Sequence, residues 1–372
     1  MNPDGITCDI FCSVVDNFGD IGVTWRLARQ LKQEHSVRVR LVVDDLSSFA
    51  RIEPTLDASL AQQEICDIQV ILWDGALEIS PAQLVIEAFA VNLPDSYVAM
   101  MLVAATPPIW VNLEYLTAEP WVGGYHLLPS PHPKYPLVKY FFFPGFLPTT
   151  GGLIRERNLL KDCAANSTSR ASQRLKVFLF GYDNAASENL IRALAKSAGT
   201  AQCTLPDGAL AARVAGKFDV NGSSPALEII PFVNQRQFDH LLWGHDVLFV
   251  RGEDSFIRAQ WASKPFVWQI YPQTDGAHWK KLDAFLALYC EGLTAESTAA
   301  VHNLWHAWNA QDIEHIAAAW KDFYEQLPAL QIHAKDWSSK LAQMPDLAAN
   351  LLSFYQKNIK IQGFAGFNSP AN

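Results

Sequence analysis

Apolar runs of strand length alternate with helical patterns along the first third of the chain. In residues 21–34, Val23, Leu27 and Leu31 recur every four positions, which predicts a helix with one apolar face. Residues 37–43 (VRVRLVV) are β-branched and mostly apolar, which predicts a strand. The same reasoning predicts strands at 9–15, 68–73, 97–103 and 109–113, and a helix at 81–90 that begins with proline.

The alternation restarts in the second half of the chain. We predict strands at 175–180, 201–205, 227–231, 246–250 and 265–270, and helices at 187–197 and 235–242. Residues 277–357 are almost wholly helical in pattern, with four tryptophans as packing anchors: Trp305, Trp308, Trp320 and Trp337. The predicted fold class is therefore α/β, with two doubly wound halves and ligands at the carboxyl ends of strands in a cleft between them.

The two halves are separated by the stretch from Pro129 to Gly152. Its prolines and glycines make it a poor helix and a poor central strand. The polar residues after it, rich in Ser, Asn and Ala, are typical of a linker. We predict an N-terminal domain at 1–153, a linker at 154–173 and a second domain at 174–345.

Composition and charge narrow the function. The chain has 372 residues, is 49% hydrophobic and carries a net charge of −9. This apolar content excludes intrinsic disorder, and the lack of a basic excess argues against general nucleic-acid binding. No stretch reaches the roughly 18–20 apolar residues of a membrane span, and the first residues do not resemble a signal peptide. We expect a cytoplasmic protein with no nucleic-acid or membrane partner.

The densest polar motif of the first half is VDNFGDIG at residues 15–22, between a predicted strand and a predicted helix. Its glycines let backbone amides approach a ligand, and a helix N-terminus favours negative charge. The motif is neither a dinucleotide fingerprint nor a Walker loop. Asp16 and Asp20, four residues apart, are in a position to face a substrate; the alternative is that Asp20 only complements the helix dipole.

The second motif is RGEDS at residues 251–255, directly after a predicted strand. Arg251 offers a planar fork of donors for a diphosphate, and Ser255 is predicted to cap a helix at 256–263. Glu253 and Asp254 would repel a phosphate, so we expect them to meet sugar hydroxyls, a base edge or a cation. The alternative is a surface loop with internal Arg–Glu pairing.

Other candidate chemistry is weaker. Phe180, Tyr182, Phe232 and Tyr271 each follow a predicted strand, where a ring can stack on a nucleobase, although most aromatic residues belong to cores. Asp44-Asp45 and the scattered histidines lack the spacing of a metal site, and no GxSxG elbow is present.

Two long runs resemble the EarP family of bacterial protein-arginine rhamnosyltransferases: DIFCSVVDNFGDIGVTWRLARQL at 9–31 and RGEDSFIRAQWASKPFVWQIYPQ at 251–273. The resemblance extends over essentially the whole chain. It implies a GT-B glycosyltransferase with two Rossmann-like domains facing a central cleft, and a helix at 346–358 that returns to brace the first domain. The implied donor is dTDP-β-L-rhamnose and the implied acceptor is one arginine of translation elongation factor P. Transfer would invert the anomeric configuration without a metal or other cofactor.

The resemblance also implies roles for individual residues. Asp20 would be the catalytic base supported by Asp16, and Glu253 would position the reacting groups. The donor-binding residues would be Asn17, Gly19, Phe180, Tyr182, Phe232, Gln235, Arg251, Asp254 and Ser255. Among these, Tyr182 and Phe232 would sandwich the thymine, and Arg251 and Ser255 would bind the diphosphate. Gly181 departs from the residues expected at its position, without putting a role in doubt.

Two other functions stay open at this point. One is a different GT-B nucleotide-sugar transferase with a glycan or lipid-precursor acceptor, although no amphipathic membrane face is visible in the first half. The other is a non-catalytic module that binds a nucleotide sugar. An NAD-dependent enzyme is disfavoured because the glycine fingerprint is missing.

Overall fold

The computed structural model describes residues 5–14, 18–75, 77–167, 174–198, 201–218 and 226–367. The chain forms two compact units, Met1–Arg157 with Met344–Asn372, and Asn158–Gln343. Part of the predicted linker is therefore structured, since residues 159–166 form a helix of the second unit.

The first unit is built on one sheet. Its elements in chain order are β1 (Thr7–Cys12), α1 (Gly19–His35), β2 (Arg38–Val43), α2 (Leu46–Ile52), β3 (Gln62–Ile65), β4 (Ile68–Leu72), β5 (Leu84–Ala88), α3 (Asp95–Val103), β6 (Ile109–Leu113), α4 (Val122–Tyr125), β7 (Pro129–Pro131) and β8 (Val138–Phe142). Within the described residues the strand order is β3-β4-β2-β1-β5-β6-β8-β7, parallel except for β3 and β7 at the edges.

The second unit repeats this architecture. Its elements are α5 (Leu159–Asn166), β9 (Leu175–Leu179), α6 (Ser187–Ala198), β10 (Ala201–Pro206), α7 (Ala209–Val214), β11 (Ala226–Ile230), α8 (Gln235–Gly244), β12 (Val247–Arg251), α9 (Glu253–Ala262), β13 (Phe266–Gln269), α10 (Ala277–Tyr289), α11 (Ala295–Asn309), α12 (Ile316–Glu325) and α13 (Leu327–Ala342). The described strands form a parallel sheet in the order β11-β10-β9-β12-β13. The four predicted tryptophan anchors are all buried.

The last helix, α14 (Leu347–Phe367), belongs to the first unit. The Asn350 side-chain amide donates to the Gly151 carbonyl at 3.0 Å, and the ring of Phe354 packs edge-on against Tyr140, with centroids 5.1 Å apart. The Gln30 amide on α1 also donates to the Asp346 carboxylate at 3.1 Å, directly before α14. These contacts place α14 against α1 and the β8 side of the sheet.

In both sheets the first strand lies in the middle. Later strands are added first on one side of it and then on the other. In the first unit the chain runs outward from β1 through β2 and β4, then returns to continue on the other side through β5, β6 and β8. In the second unit the corresponding reversal lies between β9 and β12. Right-handed crossovers then place the connections on opposite faces, which is the doubly wound arrangement predicted from the sequence. Ligands of such sheets bind outside the carboxyl ends of the strands at this switch point.

Two predicted elements of the first unit are wrong, and a strand lies where none was predicted. Residues 81–90 contain the strand β5 rather than a helix, and residues 97–103 lie in the helix α3 rather than a strand. The proline-rich stretch also supplies β8, which pairs with both β6 and β7. Every residue of β5 is buried, so it shows no period-2 pattern to separate it from a buried helix.

Among the described residues, no helix is both long and apolar enough to cross a membrane.

Candidate active site

An aromatic segment and a charged segment meet at the switch point of the second unit. Phe180, Gly181 and Tyr182 follow β9, and Arg251 is the last residue of the neighbouring strand β12. The Phe180 amide continues the pairing of these strands by donating to the Phe249 carbonyl at 2.9 Å. The two motifs, about 70 residues apart in sequence, therefore lie side by side at one edge of the sheet.

The guanidinium of Arg251 lies over two aromatic rings. Its central carbon is 4.8 Å from the centroid of Phe180 and 4.7 Å from that of Tyr182. Both distances are within the range of a cation–π interaction. The structure thus brings together three of the predicted donor-binding residues.

Ser255 does not cap α9 as the sequence suggested. The helix begins at Glu253, and Gly252 occupies the N-cap position with a φ of +63°. Glycine adopts this left-handed conformation without steric cost, and it has no side chain to cap the first amides of the helix. The hydroxyl of Ser255 instead donates to the Arg251 carbonyl, which ties the helix back to β12.

The carboxylates of the RGEDS motif have partners from distant parts of the second unit. Lys281 on α10 donates to Glu253 Oε1 at 3.2 Å, and Gln235 on α8 donates to Asp254 Oδ2 at 3.1 Å. Both carboxylates lie in the first turn of α9, where the helix dipole favours negative charge. Sequence reasoning missed Lys281, since it lies outside every motif.

Gly181 permits a close approach between the segment after β9 and the end of β13. A Cβ at this position would lie 2.6 Å from Oε1 of Gln269, the same atom that accepts a hydrogen bond from the Tyr182 amide at 2.9 Å. A side chain here would displace Gln269 and release the Tyr182 backbone. The departure noted at Gly181 therefore has a steric reason.

A buried ion pair fixes the two helices that carry Gln235 and Glu253. Arg258 on α9 binds Asp239 on α8 with two hydrogen bonds, of 3.0 and 2.7 Å, and both side chains are at most 8% exposed. Removing one partner of a buried pair is strongly destabilising because it leaves a buried charge uncompensated.

We expect Asp239→Asn to lower the free energy of unfolding by about 3 kcal/mol, the range for breaking a buried ion pair. Urea unfolding followed by circular dichroism measures this change. The matched control is Glu291→Gln, which removes an exposed partner of Lys340 and is expected to cost less than about 1 kcal/mol. Equal losses in the two variants would contradict a structural role for the buried pair.

Two further donor-binding candidates follow β11 at the same end of the sheet. Phe232 is half-buried two residues after β11. Gln235 is buried at the start of α8, where Asn234 and Gln237 form a capping box. The predicted sandwich of a base between Phe232 and Tyr182 stays a prediction.

In the first unit, Asp20 lies in the first turn of α1 and is 3% exposed. The nearby Asp44, directly after β2, accepts hydrogen bonds from the Ser13 hydroxyl and from the Val14 amide at 2.9 Å. The pKa of the Cys12 thiol, at the end of β1, is raised mainly by burial and further by the charges of Asp20 and Asp44. Both carboxylates are therefore close to the carboxyl end of β1.

Gly19 is the first residue of α1, while Asp16 and Asn17 lie outside the described residues. Among the residues that the structure describes, no group of three or more His, Cys, Asp or Glu side chains has the arrangement of a metal site.

Comparisons with known proteins cover almost the whole chain. Residues 8–356 match the model of the family described as elongation factor P (EF-P) rhamnosyltransferase EarP. The chain is 45% identical to a protein-arginine rhamnosyltransferase of Pseudomonas putida, over 95% of this chain and 99% of that one. It is 42% identical to the Pseudomonas aeruginosa protein of the same name, over 93% and 98% of the two chains.

Solved structures give the same grouping. A structure that explains EarP-mediated arginine glycosylation of translation elongation factor EF-P superposes with a TM-score of 0.65 at 33% identity, covering 95% of this chain and 99% of that one. The glycosyltransferase VinC in complex with dTDP has a TM-score of 0.53 at 9% identity, covering 95% and 100%, which shows a shared fold alone. These likenesses confirm the GT-B fold class. By both sequence and structure, the chain belongs to the EarP family of EF-P rhamnosyltransferases.

Proposed function

We propose that the chain transfers L-rhamnose from dTDP-β-L-rhamnose to the guanidinium of one arginine of elongation factor P, with inversion at the anomeric carbon. The observation that carries this proposal is the position of Arg251 over Phe180 and Tyr182 at the switch point of the second unit. Aromatic rings suit a nucleobase, and an arginine fork suits a diphosphate. Because the proposed acceptor is a translation factor, we also propose a cytoplasmic location.

The second unit would bind the donor. Tyr182 and Phe232 would stack on the thymine, with Phe180 beside them, and Gln235 and Asp254 would hold the nucleotide and sugar. Arg251, Ser255 and the first amides of α9 would bind the diphosphate, because a helix N-terminus favours anions. We propose that these groups stabilise the leaving dTDP without a metal ion.

The first unit would supply the base. An arginine guanidinium has a pKa above about 12, so complete deprotonation by an ordinary carboxylate would cost roughly 10 kcal/mol. Proton transfer must therefore accompany bond formation. A guanidinium nitrogen forms the bond to the anomeric carbon, the bond from that carbon to the diphosphate oxygen breaks, dTDP leaves and Asp20 takes the proton. Asp16 would support Asp20, Asn17 and Gly19 would contact the donor, and Glu253 would orient the reacting groups.

The transition state of this step would resemble an oxocarbenium ion. Negative charge develops on the leaving diphosphate, where Arg251 and the α9 amides would stabilise it. Attack from the face opposite dTDP gives the inverted product.

Mass spectrometry tests the proposal directly. Purified chain is incubated with EF-P and dTDP-β-L-rhamnose, and the EF-P peptides are then sequenced. The proposal requires a deoxyhexose mass on one arginine and none when the donor is omitted. Donor binding without transfer to EF-P would favour a different acceptor or a non-catalytic module.

We expect Arg251→Met to weaken dTDP binding by about 10- to 100-fold, since hydrogen bonds from a charged donor are worth about 1.5–3 kcal/mol. Isothermal titration calorimetry measures the dissociation constant. The matched control is Arg192→Met. Arg192 lies on α6, away from the strand ends, and its guanidinium also lies over an aromatic ring, that of Phe218. Unchanged dTDP affinity in Arg251→Met would rule out the diphosphate role.

A further inference from the structure

The carboxyl edge of the first sheet carries a row of side chains that no sequence motif marked. Cys12 pairs in register with Val43, and Ala88 pairs with Leu113, so Ser13, Phe89 and Glu114 each follow the last paired residue of β1, β5 and β6. The Phe89 amide donates to the Leu113 carbonyl at 2.7 Å, and the Glu114 amide donates to the Phe142 carbonyl at 2.9 Å. Adjacent strands are about 4.8 Å apart, so this row spans about 10 Å at the switch point between β1 and β5.

The turn after β5 is strained and carries an aromatic pair. Phe89 and Ala90 are both in the left-handed region, with φ of +58° and +56°, which is unfavourable for residues other than glycine. The Ala90 amide is held there by the Asn112 side-chain oxygen at 3.2 Å. The Phe89 ring stacks on Tyr115, with centroids 4.7 Å apart and planes 22° apart, and Tyr115 is 39% exposed. Such strained conformations are concentrated at functional sites.

The carboxylate of Glu114 is held beside this pair. The Asn112 amide donates to Glu114 Oε1 at 2.5 Å, so one side chain fixes both the strained turn and the carboxylate. The next strand carries Lys139, whose amine binds both oxygens of Glu87 at 3.1 and 3.2 Å. Burial raises the pKa of Glu87 and of Glu114, and Lys139 opposes the rise in both.

Among the described residues at this end of β5 and β6, carboxylates outnumber the cationic side chains that act on them. Glu87 is buried and Glu114 is half-buried, and Lys139 interacts electrostatically with both carboxylates. An added cation would therefore be attracted to them. Of the common cationic side chains, arginine has a planar group that stacks on aromatic rings and also donates to a carboxylate. Asp20 acts electrostatically on Cys12 at the end of β1, the strand that pairs with β5. The row therefore lies next to the proposed base.

We propose that Phe89, Tyr115 and Glu114 form the subsite that binds the side chain of the acceptor arginine. Tyr115, with Phe89 stacked behind it, packs against the guanidinium plane, and Glu114 accepts its hydrogen bonds. This inference rests on the proposed function, in which an arginine is the acceptor.

The test is a double-mutant cycle between the full chain and EF-P. Affinity is measured by calorimetry for the wild type and for Glu114→Gln, each against EF-P and against EF-P whose acceptor arginine is replaced by alanine. Glutamine keeps an oxygen to accept from Asn112, so the fold is preserved while the charge is lost. We expect Glu114→Gln to weaken binding of unaltered EF-P by about 10-fold, which is about 1.4 kcal/mol, and to leave binding of the alanine form unchanged. Tyr115→Leu is expected to show the same pattern.

Two controls separate the possible failures. Glu64→Gln alters an exposed carboxylate on β3, the outermost strand on the far side of β1 from β5. This variant is expected to bind both forms of EF-P like the wild type. Equal weakening of both forms by Glu114→Gln, or no weakening, would overturn the subsite while EF-P transfer by the wild type still stands. A wild-type chain that neither binds nor modifies EF-P would overturn the proposed function and the subsite together.

Discussion

Asp20→Asn is expected to lower kcat by about 10³-fold while the affinity for dTDP stays within a factor of two. General-base catalysis contributes about 10²- to 10⁴-fold, and an asparagine of the same shape cannot take the guanidinium proton. Asp20 is buried in the first turn of α1, whereas the proposed donor groups belong to the second unit. Single-turnover kinetics with EF-P, together with calorimetry for dTDP, measures the two effects separately.

The matched control for this variant is Asp67→Asn. Asp67 is exposed in the turn between β3 and β4, and asparagine tolerates its left-handed φ of +58°. It is expected to turn over like the wild type. If Asp20→Asn retained more than a tenth of the wild-type kcat, Asp20 would not be the base.

Glu253→Gln is expected to lower kcat by about 10²- to 10³-fold with a smaller change in dTDP affinity. Glu253 lies at the first position of α9 and is held by Lys281 at 3.2 Å, so its carboxylate has a fixed place beside the proposed diphosphate site. Misplacing a substrate by about 1 Å can cost about 10²-fold in rate. Kinetics with EF-P measures the change in kcat, and calorimetry measures the change in the dTDP dissociation constant.

Lys281→Met provides the companion experiment. It removes the partner that orients Glu253 but keeps the carboxylate, so we expect an intermediate loss of kcat that is not additive with Glu253→Gln. Full additivity of the two changes would show that Lys281 and Glu253 act independently.

The proposed donor motifs were visible in the sequence because each is short and lies at the end of a strand. Arg251 ends β12, Gly252 to Ser255 follow it, and Phe180 to Tyr182 follow β9, so a local pattern was enough to place them at a sheet edge. Lys281 lies within a helix, and Phe89 follows a strand that was predicted as a helix, so neither had such a signal. Glu114 directly follows the predicted strand at 109–113 but belongs to no polar motif. Their significance arises from strand order and from contacts across the fold, which one sequence does not encode locally.

The errors in secondary structure have the same origin. In α3 only Tyr97, Val98 and Met101 are buried, so its helical face is short and its aromatic and apolar composition favoured a strand. In β8 the flanking prolines suggested an interruption, yet the five residues between them pair with β6 and β7. In both segments the tertiary environment overrode the local preference.

The return of α14 to the first unit has a consequence for biosynthesis. On the ribosome, the segment from residue 344 onward emerges only after the entire second unit has been made. The sheet of the first unit must therefore wait for its final helix while a complete neighbour of nearly 190 residues, Asn158–Gln343, is free to fold. Although its strands are translated first, the unit that carries Asp20 is the last to be completed.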